Sequence, residues 1–285
     1  MKTYLEFKTH IRNFQDVLEI TKVIEKMSAA HIHFLKKRVL VLEEYISFIK
    51  KILGRFLLFF EEREHFLLRK VKSQKRAVLI VTGEMRLVGG LWHKILDSFL
   101  EKKENYHQVW VIGTKGKEIL REIGIKPSRF FEASLDIPER EEAEEINDFL
   151  FGEFKNEDLE RIDILYPKFY SLTDFEPDFL TFLPFRFEFP SEEKKEPLGF
   201  PIFEPSKKRI FNFLIELYIR NFLYTILLET KLCELSARTL ISEEAQTKIK
   251  ELISQLIISF RERRKRILSQ RQIESFLAHK IIKPR

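Results

Sequence analysis

The stretch from Ser206 to Lys283 decides the fold of this protein, and it reads SKKRIFNFLIELYIRNFLYTILLETKLCELSARTLISEEAQTKIKELISQLIISFRERRKRILSQRQIESFLAHKIIK. It contains neither glycine nor proline, and Ser206 directly after Pro205 is a candidate N-cap. One helix of this length would extend roughly 110 Å at 1.5 Å per residue. A domain of this size cannot bury such a rod, so part of it has to pair with another helix.

The N-terminus predicts the partner helix, because its first glycine is Gly54 and its first proline is Pro127. Both ends carry apolar residues at steps of three and four, which is typical of a coiled-coil seam. We therefore predict that the two helices pair antiparallel; the alternative is a stand-alone coiled-coil stalk. The N-terminal line consists of Tyr4, Phe7, Ile11, Phe14, Leu18, Ile24, Met27, Phe34, Val41, Tyr45, Phe48 and Ile52, with His31 and Arg38 on it. The C-terminal line consists of Ile210, Phe213, Leu217, Ile249, Leu252, Leu256, Phe260 and Ile267.

The middle of the chain differs in kind, because short apolar runs alternate with helical patterns. The β-α-β order predicts a small, largely parallel sheet in a Rossmann-like α/β domain. The predicted strands are Ala77–Thr82, Val109–Ile112 and Ile164–Phe169, with an edge strand or hairpin at Phe185–Phe189. The predicted helices are Gly90–Lys102, Lys117–Ile123 and Glu139–Phe154.

The predicted fold class is thus α/β, a long two-helix coiled coil carrying a central α/β domain. Its predicted parts are an N-terminal coiled-coil helix at 1–72, the α/β domain at 73–190, a charged and Pro-rich linker at 191–205 and a C-terminal coiled-coil helix at 206–285.

Composition limits the kinds of partner and the cellular compartment that the sequence favours. Of 285 residues 44% are hydrophobic and 33% charged, and the net charge of +6 suits acidic protein partners better than it indicates nucleic acid. The single cysteine, Cys233, cannot form an internal disulfide, which favours a reducing compartment. No signal peptide is visible, and charges interrupt the most apolar stretch, Phe211–Leu228, so we expect a cytoplasmic protein without a membrane span.

The residues predict no catalytic, cofactor-binding or metal-binding site. The turn TGEMRLVGG at Thr82–Gly90 follows the first strand, where a dinucleotide fold would carry G-x-G-x-x-G, but its glycine spacing is wrong and no phosphate-loop Lys-Ser/Thr pair is present. His31 and His33 lack a carboxylate cluster that would complete a metal site. An enzyme built on a Rossmann-like sheet remains the alternative, and nucleotide binding by the isolated chain would favour it.

The strongest basic feature is RERRKR at Arg261–Arg266, which covers nearly every direction of a helix. Contact with acidic protein segments, nucleic-acid binding and a solvated helix surface are all open interpretations. The nucleic-acid interpretation lacks the aromatic interleaving or module that it requires.

Motifs along the whole chain resemble those of the γ subunit of F-type ATP synthases. Ile20-Thr21-Lys22, followed by Met27, is similar to the family's ITK and AMEMVAAAK. The turn at Thr82–Gly90 resembles TSDRGLCGG, and Val111–Gly116 resembles VIGRKG. The stretch from Tyr166, YPKFYSLTDFEPDFLTFLPF, is similar to YNKFVSALTQEPVVEQLLPL.

The last helix continues the resemblance in order. It matches the family at the entry EPS of Glu204–Ser206, at the LLE of Leu227–Glu229, in SEHAARM and in NKARQAAITQE. The matching residues in the last two motifs are Glu234, Ala237, Arg238, Arg264 and Gln270. The departures are Arg86 for glycine, Val88 for cysteine, Glu243 in place of a lysine, and Arg271 for an acidic residue.

The resemblance implies a rotor shaft that couples rotation driven by ion translocation to ATP synthesis or hydrolysis. It implies a ring of α and β subunits, an ε subunit and a membrane ring of c subunits as partners, with no catalytic site or cofactor in this chain. The implied location is peripheral, on the cytoplasmic face of the plasma membrane. The implied partner-binding residues are Thr21, Lys22, Met27, Arg238, Arg264 and Gln270. A motor of this type without ion coupling and an unrelated coiled-coil adaptor are the alternatives.

Overall fold

A computed structural model describes residues 4–57, 66–68, 73–156, 159–185 and 203–282. The chain divides into two compact units: Met1–Ser28 with Thr239–Arg285, and Ala29–Arg238. The predicted domain boundaries remain a prediction, since residues 191–202 of the linker lie outside the described residues.

Two long helices form the ends of the chain, as predicted. Helix α1 is Tyr4–Leu57 and helix α5 is Lys207–Ile282. The Ser206 hydroxyl accepts a hydrogen bond from the Arg209 amide at 3.4 Å, the geometry of an N-cap.

The two helices pair antiparallel within the larger unit, which confirms the prediction. The rings of Phe56 and Phe211 stack with centroids 5.7 Å apart, and the Arg38 guanidinium lies 5.4 Å from the centroid of the Tyr224 ring. Residue numbers rise along α1 as they fall along α5. In the smaller unit the Gln246 amide donates to the Glu25 carboxylate.

The predicted seam of α1 is wrong at most of its apolar positions beyond Ile24. Phe34, Val41 and Phe48 are 54%, 58% and 61% exposed. Each is followed by a second apolar residue, and that residue is the buried one, so periodicity alone could not choose between neighbouring lines. Tyr45 is exposed for the same reason, whereas Met27 is exposed beside a buried polar residue, Ser28. On α5, Phe213 and Leu252 are exposed as well. The buried line consists of Ile32, Leu35, Val39, Leu42, Ile46, Ile49, Leu53 and Phe56.

The central sheet has five strands in the order β3-β2-β1-β4-β5. Strands β1 to β4 are parallel and β5 is antiparallel to β4, so the largely parallel sheet was predicted correctly. Strands β3 and β5 were missed: β3 is short, and the two prolines Pro167 and Pro177 obscure the β4–β5 hairpin. The strands are β1 Arg76–Val81, β2 Gln108–Ile112, β3 Arg129–Phe131, β4 Arg161–Phe169 and β5 Phe175–Leu183.

Three helices flank this sheet, each within a few residues of its predicted range. Residues 186–189 of the predicted FRFEF strand lie outside the described residues, and Phe185 is not part of a strand. A short 3₁₀ helix also precedes the sheet at Phe66–Leu68, and another lies at Lys103–Asn105. The flanking helices are α2 Leu91–Leu100, α3 Thr114–Glu122 and α4 Arg140–Asn156.

Helix α5 is buried almost all round between residues 223 and 237. Its side chains join two apolar clusters: Leu228 lies in one with α1, α4 and β1, and Cys233 lies in the other with α2 and the opposite face of β1. The helix therefore packs on α1 and on the α/β domain at once.

By length and composition alone, Lys207–Ala278 within α5 qualifies as a candidate membrane span, with a mean hydropathy of 1.3 in its most apolar window. In that window 56% of the residues are buried against the protein itself. Core helices of soluble proteins meet the same criterion, so this is weak evidence for a span.

Candidate functional site

Helix α5 crosses the carboxyl ends of the strands, the place where doubly wound folds bind their ligands. Opposite β4, the Glu229 carboxylate accepts a hydrogen bond from the Phe169 amide at 2.9 Å, and the Cys233 thiol donates to the Pro167 carbonyl at 3.4 Å. Beyond the end of β1, the Glu234 carboxylate accepts from the Met85 amide at 2.9 Å. Side chains of one helix thus fasten this edge of the sheet.

A buried ion pair lies at the centre of the crossing. The Lys231 ammonium is 2.7 Å from the Glu234 carboxylate, and the two side chains are 5% and 1% exposed. The ammonium also donates to the carbonyls of Ser134 and Leu135, at 3.1 and 2.7 Å. A buried pair is tolerated only when such additional hydrogen bonds satisfy its charges.

Gly83 makes this approach of α5 to the sheet possible. A Cβ on Gly83 would lie 2.0 Å from the Glu234 carboxylate oxygen Oε1, which real side chains do not tolerate. The small residue of the turn therefore makes room for the helix.

The Glu84 carboxylate occupies the first turn of α3. One of its oxygens accepts from the Thr114 amide at 2.8 Å and from the Ala133 amide at 3.1 Å. Gly113, with φ 92°, leads into the helix where a Cβ would lie 2.7 Å from the Thr82 carbonyl. An anion at a helix N-terminus is favoured by the free amides and the helix dipole, and here the anion is the chain's own.

Burial shifts the pKa values of ionisable groups on α5 and beside it. Desolvation raises the pKa of Glu229 to about 7. The hydrogen bond from the Phe169 amide and, less strongly, Lys168 oppose the rise, and the carboxylates of Glu43 and Asp178 add to it. Desolvation also raises the pKa of Cys233 well above its ordinary value and raises the pKa of Tyr166. Cys233 is fully buried, so its thiol is a packing group.

The partner-binding residues predicted on α1 all belong to the smaller unit. The Thr21 side chain is half-buried, and its hydroxyl donates to the Leu18 carbonyl at 2.9 Å. Lys22 is exposed, and Met27 is 59% exposed. Lys22 and Met27 are therefore accessible to a partner.

The partner-binding residues predicted on α5 divide between the two units. Arg264 and Gln270 are exposed in the smaller unit, and the Gln270 amide donates to the Glu274 carboxylate at 3.2 Å. Arg238 belongs to the larger unit, where its guanidinium donates to the Met85 sulfur at 2.9 Å. Arg238 therefore contacts the turn after β1 and is not grouped with the other five.

Sequence reasoning did not single out Glu84 or Lys231. Glu84 lies inside the turn at Thr82–Gly90. An acidic residue in a turn near the free amides of a helix N-terminus is the feature that could have indicated its role. Lys231 lies three residues before Glu234 within an apolar run, and this spacing on a helix indicates an ion pair. Among the described residues no group of three or more His, Cys, Asp or Glu side chains could hold a metal ion.

The chain is similar to known proteins along nearly its whole length. The family model described as ATP synthase matches residues 3–271. The ATP synthase gamma chain of Mesoplasma florum is 24% identical over 271 residues, covering 95% of each chain. That of Halothermothrix orenii is 26% identical over 282 residues, covering 95% of this chain and 96% of the relative.

Solved structures show the same fold. The rotor of the Euglena gracilis mitochondrial ATP synthase contains a chain that superimposes with a TM-score of 0.66 at 14% identity, covering 93% of this chain and 98% of that one. The central stalk and c-ring structure of the Tetrahymena thermophila mitochondrial ATP synthase gives a TM-score of 0.58 at 15% identity, covering 79% and 99%. On the near-complete match of the family model, this chain belongs to the ATP synthase γ chain family.

Proposed function

We propose that this chain is the central rotor shaft of an F-type ATP synthase, turning inside a ring of α and β subunits and resting on an ε subunit and a membrane ring of c subunits. The observation that carries the proposal is the family match over residues 3–271 together with two long antiparallel helices that carry an α/β domain. Membership of the family sets aside the alternative of an unrelated adaptor.

The attachment of α5 to the sheet supports a mechanical role. A shaft transmits torque only if its helix cannot turn independently of the domain that it carries. The buried pair of Lys231 and Glu234, held by backbone groups on two loops, adds directional contacts to the apolar packing and so helps to fix the helix in orientation. The fold thus joins shaft and domain into one mechanical element.

The partners would bind through exposed side chains of the smaller unit. We assign Thr21, Lys22 and Met27 on α1 to the contact with the α and β subunits, together with Arg264 and Gln270 on α5. The exposure of Lys22, Met27, Arg264 and Gln270 supports this assignment. Arg238 is included on the motif match alone.

Catalysis would belong to the partners, with this chain lacking a catalytic site of its own. The carboxyl edge of the sheet, where a nucleotide would bind, is filled by α5 and by the Glu84 carboxylate. Calorimetry on the isolated chain should detect no binding of ATP or NAD. Micromolar affinity for either nucleotide would favour an enzyme on a Rossmann-like sheet.

The location follows from the partners. A shaft resting on a membrane ring would lie at the cytoplasmic face of the plasma membrane as a peripheral subunit, with residues 223–237 of α5 buried against α1 and the sheet. Washing membranes at low ionic strength should release it together with α and β subunits.

A rotation assay tests the proposal directly. The only cysteine, Cys233, is buried, so one engineered cysteine at the exposed Glu122 of α3 takes a probe selectively. With α and β subunits fixed to a surface, ATP should drive unidirectional rotation of the probe. A complex that forms but shows no rotation with ATP, or the absence of a complex, would contradict the proposed function.

A further inference from the structure

A small cavity lies where α5 passes α4 and the loop after β3. Its volume is about 20 Å³, and Thr230 and Lys231 of α5, Ser134 of the loop and Glu142 of α4 are among its lining residues. A water molecule needs roughly 10–15 Å³ of such space, so the cavity has room for a single water and is too small for a phosphate.

The cavity wall carries a hydroxyl that the folded chain does not satisfy. The Thr230 side chain is 4% exposed, and its hydroxyl makes no hydrogen bond to another described residue. Thr225, on the same helix, donates its hydroxyl to the Asn221 carbonyl at 3.0 Å, the usual bond of a helical threonine. Burying a hydroxyl without a partner costs free energy, so a buried threonine that forgoes this bond indicates a partner in the cavity.

Two carboxylates line the cavity, and one of them has an oxygen to spare. Both oxygens of Glu234 are engaged, by the Met85 amide at 2.9 Å and by the Lys231 ammonium at 2.7 Å. Glu142 is half-buried, and its Oε1 atom accepts one long hydrogen bond, from the Glu139 amide at 3.4 Å. The second oxygen of Glu142 is therefore available to a donor in the cavity.

We propose that one ordered water molecule binds in this cavity and bridges the Thr230 hydroxyl of α5 to the Glu142 carboxylate of α4. The water accepts a hydrogen bond from the hydroxyl and donates one to the carboxylate. A water can do both, whereas the two carboxylates in the wall would repel an anion. The bridge adds a polar contact between α5 and α4 to their apolar packing.

A substitution that keeps the shape of the side chain tests the bridge in the full chain. Thr230→Val removes the hydroxyl and should lower the thermal midpoint by about 2–4 °C, because the water loses a partner. Thr247→Val, at an exposed threonine of the same helix, should change the midpoint by about 1 °C or less. In a dry cavity the removal of an unsatisfied hydroxyl would stabilise the fold, so an unchanged or higher midpoint in Thr230→Val would overturn the proposal.

A double-variant cycle tests which group accepts from the water. If one water joins the two side chains, Thr230→Val and Glu142→Ala together should lower the midpoint by less than the sum of their separate effects. Glu141→Ala removes an exposed carboxylate from the same first turn of α4 and should combine additively with Thr230→Val. Additive losses with Glu142→Ala as well would rule out the bridge.

A crystal structure of the wild type provides a readout that does not depend on the variants. One ordered solvent peak should lie within about 3 Å of Thr230 Oγ1 and of a Glu142 oxygen. A wild-type cavity without this peak, or a Thr230 hydroxyl turned to a carbonyl of its own helix, would refute the proposal even if Thr230→Val failed to fold.

Discussion

Three carboxylates near the carboxyl edge of the sheet have different surroundings and different roles. Glu84 is half-buried and binds two backbone amides. Glu234 is buried and paired with Lys231. Glu229 is half-buried, with one amide partner and no cation within ion-pairing distance among the described residues, and desolvation is the largest cause of its raised pKa.

Glu229 should make the stability of the chain depend on pH. Because burial raises the pKa of Glu229 in the fold to about 7 from its ordinary value of 4.5, the folded state binds its proton more tightly than the unfolded state does. This contribution is complete below about pH 4.5 and is lost as the pH rises through about 7. The unfolding free energy of the wild type should therefore fall by roughly 2–3 kcal/mol over this range relative to Glu229→Gln.

Urea denaturation at several pH values measures this difference. Glu244→Gln, an exposed carboxyl on the same helix, should keep the wild-type profile. A parallel decline in Glu229→Gln would assign the pH dependence to another group.

The two long helices show how an apolar pattern can be right about an element and wrong about its face. Along α1, pairs such as Phe34-Leu35 and Phe48-Ile49 place apolar residues on two adjacent lines. The line that packs is chosen by the position of α5. The other line stays at the surface and includes Phe34, Val41 and Phe48, at intervals of seven residues.

A matched pair of truncations distinguishes the two lines. Leu35→Ala removes a fully buried side chain and should cost about 2–5 kcal/mol of unfolding free energy. Phe34→Ala removes a larger side chain that is 54% exposed and should change the unfolding free energy of the isolated chain by less than about 1 kcal/mol. Equal losses in chemical denaturation would restore the seam predicted from sequence.

The attachment of α5 to the sheet makes a further prediction. Lys231→Met leaves Glu234 buried without its cation and should lower the unfolding free energy by about 3–5 kcal/mol. Lys94→Met removes a cation paired with Glu176, both about half-exposed, and should cost less than about 1 kcal/mol. Thermal or urea unfolding of the two variants compares them. A small loss in Lys231→Met would mean that apolar packing alone holds the helix.

The protein combines a long basic helix end with an α/β domain whose carboxyl edge is covered, among the described residues, by α5 and the Glu84 carboxylate. Residues 261–266 of α5 project five cations with one glutamate between them. Arg264 and Arg266 are exposed, whereas Arg263 is half-buried and engaged within the chain. The exposed cations are available to acidic segments of the partner ring.

Arg264→Ala should weaken association with the α and β subunits by about 1–3 kcal/mol, with a larger effect at low salt than at high salt. Arg266→Ala is the control, because it removes an exposed cation outside the family match. Arg263 is unsuitable as a control because it is half-buried and engaged within the chain. Ring association and ATP turnover at two salt concentrations measure both variants. Equal, negligible effects would make the basic stretch a solvated helix surface.

The sequence by itself determined the two long helices, their antiparallel pairing, the parallel sheet and the family. These depend on local properties: the absence of glycine and proline from 206–283, the alternation of apolar runs with helical patterns, and motifs in order along the chain. Tertiary structure alone decided which apolar line of α1 is buried, where β5 pairs, and that Glu84 and Lys231 act as internal ions. These features depend on which distant groups come within hydrogen-bonding or van der Waals distance, and no local pattern encodes such distances.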